Sequence, residues 1–333
     1  MKHVPIVAIS DNKLAFAVGT LFTNLIAVKH KTTFYDFFAV LGPDVSPENI
    51  DKIKQVQEMH PDDCSVSVIQ MDSRFDKIPN GTKHISNACA YKMCLGEILP
   101  NLDKVIYLDT DILVFDDLAD LYDTEMDDAY IAGVQSIEHY LTHRDLISKL
   151  YIPDLTYYVN AGVMVMNLQK IRDDKIEPKL QALIGTYDDS VDQHIFNRVC
   201  YGHIKLLPQQ YNVFQSSEWL YNSPSVLIGM TQSELNTVKE RPVIYHYTDR
   251  FKPWSYFNLK YQLIWFRHYK NSPFCDVDLS FQYFEHSPCT FSVSFDTKKK
   301  RVQWYKKVFS VNKKNIDGKK HTVICLFGHN FVI

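Results

Sequence analysis

Glycine is scarce in this 333-residue sequence, and no GxGxxG pattern follows the first predicted strand. Because that pattern lets the backbone approach a dinucleotide pyrophosphate, its absence argues against a dehydrogenase of the usual dinucleotide-binding kind. No apolar run approaches the roughly 18–20 residues that a membrane span needs. The N-terminal apolar stretch is also too short for a signal peptide and lacks a small-residue cleavage site.

The seven cysteines are odd in number, scattered, and contain no CxxC pair. This usage argues against a disulfide framework and against a cysteine-based zinc site, and it is typical of a reduced, cytoplasmic protein. Low-complexity tracts and internal repeats are absent as well. By contrast, 46% of the residues are hydrophobic, which is enough for a large globular core.

Charge is distributed unevenly, although the formal net charge is only −3. Residues 294–333 hold ten Lys and Arg against two Asp, which leaves 26 basic against 37 acidic residues elsewhere. A basic end on an acidic body predicts contact with something anionic, such as peripheral binding to the inner face of a membrane. A solvated surface hairpin explains the same charges equally well. No nucleic-acid-binding motif accompanies them, so no nucleic-acid partner is expected.

Short apolar runs alternate with helical patterns along the first third of the chain. This order predicts an α/β fold with a mostly parallel sheet and helices on both faces. Ser46 and Ser86 are the predicted N-caps of the second and third helices. The predicted strands are 4–9, 33–41, 64–71 and 104–108, and the predicted helices between them are 14–28, 47–59 and 86–99.

The second half of the chain continues this pattern and then changes. Runs 161–168 and 241–247 predict two further strands, and 255–269 predicts a Tyr/Trp-rich amphipathic helix. Beyond it, short β-patterned runs are joined by Lys-rich turns. We therefore predict an α/β domain over residues 1–270 and a basic, β-rich C-terminal region over residues 271–333.

Two aspartates, Asp109 and Asp111, directly follow the buried run KVIYL. Alternate residues of a strand point the same way, so both carboxylates meet at one spot if the strand continues to Asp111. Two carboxylates so close repel unless a cation lies between them, and oxygen ligands suit Mg²⁺ or Mn²⁺. The pair therefore predicts a metal–nucleotide site at the carboxyl end of a strand. An Asp-rich surface turn is the alternative, and the nearby Asp116 and Asp117 are expected to cap a short helix.

Several segments, in order, carry a resemblance to a known family. They read KHISNACAYKMCLGEILPNLDKVIYLDTDILVFDDLADLYDT, YYVNAGVMVMNLQKIR, DQHIFN and HYTDRFKPW. Together they resemble the retaining glycosyltransferase family 8, which includes bacterial lipopolysaccharide galactosyl- and glucosyltransferases, over about residues 4–256. The resemblance implies a GT-A fold, a nucleotide-sugar donor that is usually UDP-linked, and Mn²⁺ as cofactor, with Mg²⁺ as the alternative.

The resemblance also implies a set of metal ligands and a phosphate contact. The ligands would be Asp109, Asp111 and His246, and Lys252 would contact the diphosphate as a point charge. Without the resemblance, His246 reads as a core histidine and Lys252 as a surface lysine.

Four further residues are implied to face the donor sugar. Asn160 can hydrogen-bond hydroxyls in both senses, and Gly162 lets the backbone come close. Asp192 would accept from donor hydroxyls, with Gln193 near the anomeric carbon, and we assign both as catalytic. A tight strand contact at Gly162 and an ordinary helix start at residues 190–196 are the alternatives.

The nucleotide end of the predicted site departs from the family pattern. The first strand commonly ends in a DDNY-like stretch, whereas this chain has Ser10, Asp11, Asn12 and Lys13. These four residues and Thr110, the middle residue of the aspartate motif, are still assigned to nucleotide-sugar binding.

Three other positions depart from the pattern nearer the phosphates and the sugar. Lys92 replaces a usual Arg, which keeps the charge but loses the bidentate fork, and Lys92 stays in the predicted donor site. Asp249 stands where a Gly is usual, and a carboxylate beside a diphosphate is unfavourable unless it turns away. His194 stands where a second acid is common.

The sequence therefore predicts metal-dependent, retaining hexosyl transfer from UDP-galactose or UDP-glucose to a hydroxyl of a saccharide or lipopolysaccharide-like glycan. A degenerate, non-catalytic nucleotide-sugar binder is the alternative that the departures motivate. A phosphotransferase with Asp109 as nucleophile is a more distant one, because that pattern expects a Thr where Leu113 stands.

Overall fold

The structure, a computed structural model, describes residues 1–75, 87–187, 191–222, 229–283, 290–292, 309–316, 319–326 and 329–332. The chain forms two compact units, Met1–Ser292 and Val293–Ile333. The division at residue 270 stays a prediction. Within the described residues, no helix combines the length and the apolar character needed to cross a membrane.

The strands are numbered β1 to β16 in chain order. They are Lys2–Ser10, Thr33–Leu41, Cys64–Gln70, Lys104–Leu108, Ile112–Val114, Ile131–Gln135, Val159–Asn167, Ile204–Leu207, Val213–Phe214, Ile244–His246, Tyr256–Phe257, Ser280–Tyr283, Thr290–Ser292, Phe309–Ile316, Lys319–Leu326 and His329–Val332.

The α-helices are numbered α1 to α12 in the same way, and short 3₁₀ helices accompany them. The α-helices are Ala15–Val28, Pro47–Met59, Leu95–Ile98, Ala119–Tyr122, Ile137–Thr142, Asp145–Leu150, Leu168–Asp173, Glu177–Gln181, Val191–Val199, Glu218–Tyr221, Gln232–Glu240 and Gln262–Asn271. The 3₁₀ helices are Asn12–Leu14, Asn87–Cys94 and Gln209–Tyr211.

The first unit is built on a seven-stranded sheet in the order β3-β2-β1-β4-β7-β6-β8. Its strands run parallel except β7, which is antiparallel to both β4 and β6. The prediction of a mostly parallel sheet flanked by helices is therefore confirmed. Because β7 runs the other way, its first residues lie at the edge where β1 and β4 end, and this edge is where such sheets bind ligands.

Local sequence explains the strands and the first helix caps. In β4, the run from Val105 to Leu108 is entirely buried, as expected for a strand covered on both faces. Ser46 Oγ accepts a hydrogen bond from Asn49 N at 3.3 Å, with Pro47 in the first turn of α2. Ser86, the other predicted cap, lies outside the described residues.

Two predicted helices differ from those observed. Residues 87–94 form a 3₁₀ helix because tertiary contacts hold its buried side chains, including the Tyr91 hydroxyl, which donates to Asp72 O at 2.7 Å. The helix expected from residue 255 begins only at Gln262. Asn258 and Tyr261 have φ of 68° and 59°, which a right-handed helix cannot include.

The second unit contains a three-stranded antiparallel sheet in the order β14-β15-β16. This agrees with the β-rich C-terminal region that the sequence predicts. The Lys-rich segment at residues 298–307 lies outside the described residues.

Candidate active site

Two carboxylates and one imidazole converge at the ligand-binding edge of the central sheet. Asp109, Asp111 and His246 each present one ligand atom, and these atoms all lie within 4.8 Å of one another. His246 Nε2 is 3.1 Å from Asp111 Oδ1 and 3.7 Å from Asp109 Oδ2. The structure therefore brings together the three residues predicted as metal ligands, although His246 comes from a strand far along the chain.

The strand that leads to the aspartates ends before either of them, so the condition for alignment along one strand is not met. β4 stops at Leu108, and Asp111 lies in the link before β5. Alternation along one strand therefore does not align the two carboxylates. Pairing between β5 and β10 instead brings Asp111 beside His246, because it sets His246 opposite Ile112, and Tyr247 N donates to Asp111 O at 2.9 Å.

Gly162, near the start of β7, makes room for the cluster. Its carbonyl accepts a hydrogen bond from Asp109 N at 2.8 Å, which extends the β4–β7 ladder. A Cβ at residue 162 would lie 2.2 Å from His246 Cε1 and 2.6 Å from Asp109 Oδ2. Any larger residue would therefore displace two of the three cluster members. The close approach expected at Gly162 is made here by these side chains, and contact with a sugar stays a prediction.

Asn212 fixes the position of a proton on His246. Asn160 Oδ1 accepts from Gly162 N at 2.9 Å, and Asn212 Nδ2 donates to the same oxygen at 3.0 Å. Asn212 Oδ1 then faces His246 Nδ1 at 3.0 Å and can only accept, so Nδ1 carries the proton.

In the neutral imidazole ring, the other nitrogen, Nε2, therefore presents a lone pair to Asp111 Oδ1, 3.1 Å away. Two electron-pair donors facing each other at this distance are stabilised by a cation between them. A histidine whose Nδ1 proton is held by a neighbouring acceptor is also the usual arrangement in metal sites. The residues present thus fit a divalent metal.

Each carboxylate of the pair has a lysine beside it. Lys92 Nζ lies 2.9 Å from Asp109 Oδ1, and Lys252 Nζ lies 2.6 Å from Asp111 Oδ2. Burial by itself would raise the pKa of the Asp111 carboxyl, but the Lys252 ammonium group holds that pKa well below its usual range. Asp111 is therefore ionised at neutral pH, as a metal ligand must be.

Lys92 is a buried cation shared by two acids. Its side chain is 3% exposed, and Nζ lies 2.5 Å from Asp192 Oδ2 as well as 2.9 Å from Asp109. Burial alone would lower the pKa of the Lys92 ammonium group, but the two carboxylates raise it well above its usual value. The aromatic ring of Tyr107 lies 4.4 Å from the same ammonium group, and its hydroxyl donates to Asp109 Oδ1 at 2.6 Å.

Gln193, in the first turn of α9, is held in one orientation by three hydrogen bonds. Oε1 accepts from Asn160 Nδ2 at 2.9 Å and from Ala161 N at 3.4 Å. Nε2 donates to Tyr158 OH at 3.0 Å. The fold therefore brings Gln193 beside Asn160, close to the cluster, while its role at an anomeric carbon stays a prediction.

The residues predicted to hold the nucleotide end lie at the same edge of the sheet. β1 and β4 are parallel neighbours that end at Ser10 and Leu108. Ser10 and Thr110 are buried, and Lys13 is exposed. Contact of these residues with a nucleotide stays a prediction.

Asp11 and Asn12 are engaged in the loop that follows β1. Asp11 Oδ1 accepts from Leu14 N at 3.1 Å and thereby caps the 3₁₀ helix. Asn12 Oδ1 accepts from Ser46 N at 2.9 Å and from Asn49 Nδ2 at 2.8 Å. Both side chains thus stabilise the loop after β1, which the motif alone did not indicate.

The remaining departures from the family pattern have defined positions. Asp249 Oδ1 accepts from the adjacent Arg250 N at 2.6 Å. His194 is buried, with Nδ1 2.7 Å from Tyr158 OH, and so joins the hydrogen-bonded group that contains Gln193.

Three residues of the site were missed by sequence reasoning: Asn212, Tyr107 and Tyr158. The sequence carried a partial signal for Tyr107, since a tyrosine near the end of a buried strand needs a partner for its hydroxyl. Asn212 follows LPQQY and precedes an apolar pair, and a single polar side chain there gives no indication that it reaches His246.

Comparison with known proteins agrees with this geometry. The model of the family described as "Glycosyl transferase family 8" matches residues 5–258, about three quarters of the chain. The chain belongs to glycosyltransferase family 8. It is therefore a glycosyltransferase, and the phosphotransferase reading of the aspartate pair is set aside.

Relatives of this family 8 chain include a general stress protein and a lipopolysaccharide glucosyltransferase. General stress protein A of Bacillus subtilis (strain 168) is 21% identical over 257 residues, which are 75% of this chain and 87% of that protein. The lipopolysaccharide 1,2-glucosyltransferase of Escherichia coli (strain K12) is 29% identical over 201 residues, 57% of this chain. The aligned part is 56% of that glucosyltransferase, a little over half its length.

Two solved structures of glycosyltransferases have the same fold as this chain. The galactosyltransferase LgtC, in complex with donor and acceptor sugar analogues, superposes with a TM-score of 0.70 at 23% identity, covering 81% of this chain and 96% of LgtC. The apo structure of the bifunctional WbbM gives a TM-score of 0.69 at 22% identity, covering 81% of this chain and 50% of WbbM. The fold is GT-A, as the sequence predicts.

Proposed function

We propose that this family 8 glycosyltransferase is metal-dependent and retaining, and that it transfers a hexosyl group from a UDP-sugar. UDP-galactose and UDP-glucose are the proposed donors, and the acceptor is a hydroxyl of a saccharide or lipopolysaccharide-like glycan. The observation that supports this most is the convergence of Asp109, Asp111 and His246 within 4.8 Å around a position that only glycine can occupy.

Asp109, Asp111 and His246 would hold Mn²⁺, with Mg²⁺ as the alternative. One imidazole beside two carboxylates suits Mn²⁺ better than Ca²⁺, which prefers an all-oxygen site. When bound, the ion would neutralise charge that develops on the departing diphosphate.

Lys252 would supply the second positive charge at the diphosphate. Its ammonium group lies 2.6 Å from Asp111 Oδ2, so it is already close to the proposed metal position. A lysine acts here as a point charge on a flexible stem, which can reorient toward phosphate oxygens without a fixed geometry. The Asp249 carboxylate accepts a hydrogen bond from Arg250 N, which gives it a partner other than the phosphates.

Asn160, Asp192 and Gln193 would position the donor sugar. Asp192 is anchored through Oδ2 by Lys92, and its other oxygen would accept from a donor hydroxyl. Gln193, with its amide held by Asn160 and Tyr158, would present a fixed dipole to the anomeric carbon.

In the proposed reaction, the bond between the anomeric carbon and the diphosphate oxygen breaks, and its electron pair leaves with UDP. The acceptor oxygen forms the new glycosidic bond on the same face of the sugar. The acceptor proton passes to an oxygen of the departing diphosphate. Catalysis then rests on stabilising the leaving group and on positioning, since no carboxylate nucleophile is assigned.

We also propose that the basic C-terminal region holds the enzyme at an anionic membrane surface facing the cytoplasm, close to a glycolipid acceptor. Its support is the charge asymmetry, with ten Lys and Arg against two Asp in residues 294–333. Each well-placed cation contributes roughly 1 kcal/mol near such a surface, so a few contacts allow reversible binding.

The direct test is release of UDP from UDP-galactose or UDP-glucose, with Mn²⁺ added or removed by chelator. We expect Asp109→Ala and Asp111→Ala each to lower turnover on the order of 100-fold or more. Asp173→Ala, which removes an exposed aspartate on α7, is the matched control and should behave as wild type. Unchanged turnover in either site variant would show the proposal to be wrong.

A further inference from the structure

A continuous series of side-chain hydrogen bonds leads away from the metal-ligand cluster. Its successive donor–acceptor distances are 3.0, 3.0, 2.9, 3.0 and 2.7 Å. Its members, in order, are His246, Asn212, Asn160, Gln193, Tyr158 and His194. The series therefore joins a predicted metal ligand to the amide predicted to face the anomeric carbon.

One backbone group sets the direction of these bonds near the cluster. Gly162 N donates to Asn160 Oδ1, so Asn160 must turn its NH₂ group toward Gln193. Asn212 must then point its own NH₂ group at Asn160 and its oxygen at His246. Both amides are thus locked in one orientation, and reversing either one would place two donors or two acceptors face to face.

Asn212 lies between the metal-ligand cluster and the residues predicted to hold the donor sugar. It is completely buried and directly precedes β9, which pairs in parallel with β10 so that Phe214 lies opposite His246. Its amide therefore reaches the imidazole from the neighbouring strand. Asn212 contacts His246 on one side and Asn160 on the other, and it presents no atom to the reacting centre.

We infer that Asn212 is a positioning residue that couples the metal site to the donor-sugar site. The inference rests on the proposed function. The Asn212 oxygen holds the His246 ring with Nε2 directed at the two aspartates, while its NH₂ group holds Asn160 and, through Asn160, Gln193. Residues outside the first coordination shell that orient a ligating histidine typically contribute 10–100-fold to metal affinity or activity.

The two halves of the Asn212 amide can be separated by substitution. Asn212→Ala removes both bonds. Asn212→Asp keeps an acceptor for His246 Nδ1 but sets a carboxylate against Asn160 Oδ1, which can only accept. The alanine variant should therefore weaken both sites, whereas the aspartate variant should restore the metal site alone.

The experiment measures Mn²⁺ affinity of the full chain by electron paramagnetic resonance titration without donor, and kcat and KM for UDP release with donor. We expect Asn212→Ala to bind Mn²⁺ about 10-fold or more weakly than wild type. We expect Asn212→Asp to bind Mn²⁺ within about threefold of wild type while its kcat stays at least 10-fold lower and KM changes little.

Asn167→Ala is the matched control for general loss of stability. Asn167 Oδ1 accepts from Lys170 N at the far end of β7, so this variant loses a side-chain hydrogen bond outside the site. It should match wild type in Mn²⁺ affinity, kcat and KM. If Asn212→Ala does not fold, the divergence between Mn²⁺ affinity and kcat in Asn212→Asp still tests the inference.

The outcomes are distinct. Wild-type Mn²⁺ affinity in Asn212→Ala would overturn the inference and leave the proposed function intact. Parallel loss of Mn²⁺ affinity and kcat in Asn212→Asp would also overturn it, because a merely structural role makes no distinction between the two halves. A wild-type chain that binds no Mn²⁺ would overturn the proposed function, and the inference with it.

Discussion

Lys252 Nζ lies 2.6 Å from Asp111 Oδ2, while the other oxygen of the same carboxylate lies 3.1 Å from His246 Nε2. Asp111 thus has a positive group on one oxygen and a predicted metal position at the other. A divalent cation that binds Asp111 must share the carboxylate with Lys252 or displace it. The ammonium group therefore opposes cation binding in the absence of donor, yet it is the group proposed to grip the diphosphate.

Because Lys252 opposes cation binding and is also the proposed diphosphate contact, Lys252→Met should change Mn²⁺ affinity and turnover in opposite directions. Mn²⁺ should bind roughly 10-fold more tightly without donor, a change of about 1.4 kcal/mol, because the competing charge is gone. Turnover of UDP-sugar should fall by at least as much, because the diphosphate loses a positive contact. Calorimetric Mn²⁺ titration and a UDP-release assay measure the two effects, with the exposed Lys179→Met as control. Weaker Mn²⁺ binding in Lys252→Met would contradict this account.

Lys92→Met should be harmful to both stability and activity. Removing the buried ammonium group leaves Asp109 and Asp192 close together without their shared cation, which costs on the order of 3 kcal/mol of unfolding free energy. Lys92→Arg keeps the charge and should recover most of that loss. Urea unfolding and UDP release measured on both variants test this prediction. A Lys92→Met variant that is as stable and as active as wild type would contradict it.

Gly162→Ala tests the space around the cluster. The added methyl group must displace His246 Cε1, 2.2 Å away, and Asp109 Oδ2, 2.6 Å away, so Mn²⁺ affinity should fall about 10-fold or more. The stability cost of such overpacking is about 1–3 kcal/mol. Gly133→Ala, whose Cβ would meet only Val159 within 3.4 Å, should lose comparable stability without losing Mn²⁺ affinity. Equal Mn²⁺ affinities in both variants would contradict the prediction.

Glu177 predicts a pH-dependent contribution to stability. Burial raises the pKa of its carboxyl group, although the backbone amides of Gly96 and Glu97 oppose the shift by donating to Oε1 at 2.7 and 3.2 Å. A raised pKa in the folded state means that Glu177 stabilises the folded state while it is protonated. That stabilisation is lost as the pH rises through the folded-state pKa.

The variant Glu177→Gln keeps an acceptor for the two amides and cannot ionise. Its stability relative to wild type should therefore increase between pH 4 and pH 7, starting near the unfolded pKa of about 4.3. Urea unfolding at several pH values measures the difference, with the exposed Glu240→Gln as a charge-matched control. A difference that does not change with pH would count against the burial argument.

The basic C-terminal region predicts charge-dependent membrane binding. Replacing four lysines of β14 and β15 by Gln should reduce pelleting of the full chain with phosphatidylglycerol vesicles at least 10-fold, at roughly 1 kcal/mol per contact. Phosphatidylcholine vesicles should pellet neither protein. The same replacement at four exposed lysines of the first unit is the matched control, and equal pelleting of all variants would defeat the proposal. The lysines replaced in β14 and β15 are Lys313, Lys314, Lys319 and Lys320. The control lysines are Lys31, Lys54, Lys179 and Lys239.

Much of the fold could be read from local patterns. The run KVIYL predicted β4 with its observed bounds, and Ser46 with Pro47 predicted the start of α2. These features depend on residues within a few positions of one another, so their periodicity and capping chemistry are visible in the chain. The prediction of a helix from residue 255 was wrong because Asn258 and Tyr261, which precede Gln262, have positive φ. Neither residue is a glycine, so the sequence did not mark the break.

The sequence by itself determined the α/β class, because hydrophobic periodicity is a property of neighbouring residues. Its resemblance to glycosyltransferase family 8 supplied the family and the assignment of Asp109, Asp111 and His246 to one site. Only the tertiary structure decided how they meet. Lys92 pairs with Asp109 and Asp192, and Asn212 reaches His246, across separations that no local pattern encodes. Hydrogen bonds and ion pairs act over about 3 Å in space, and only the packing of strands and helices brings such distant residues within that range.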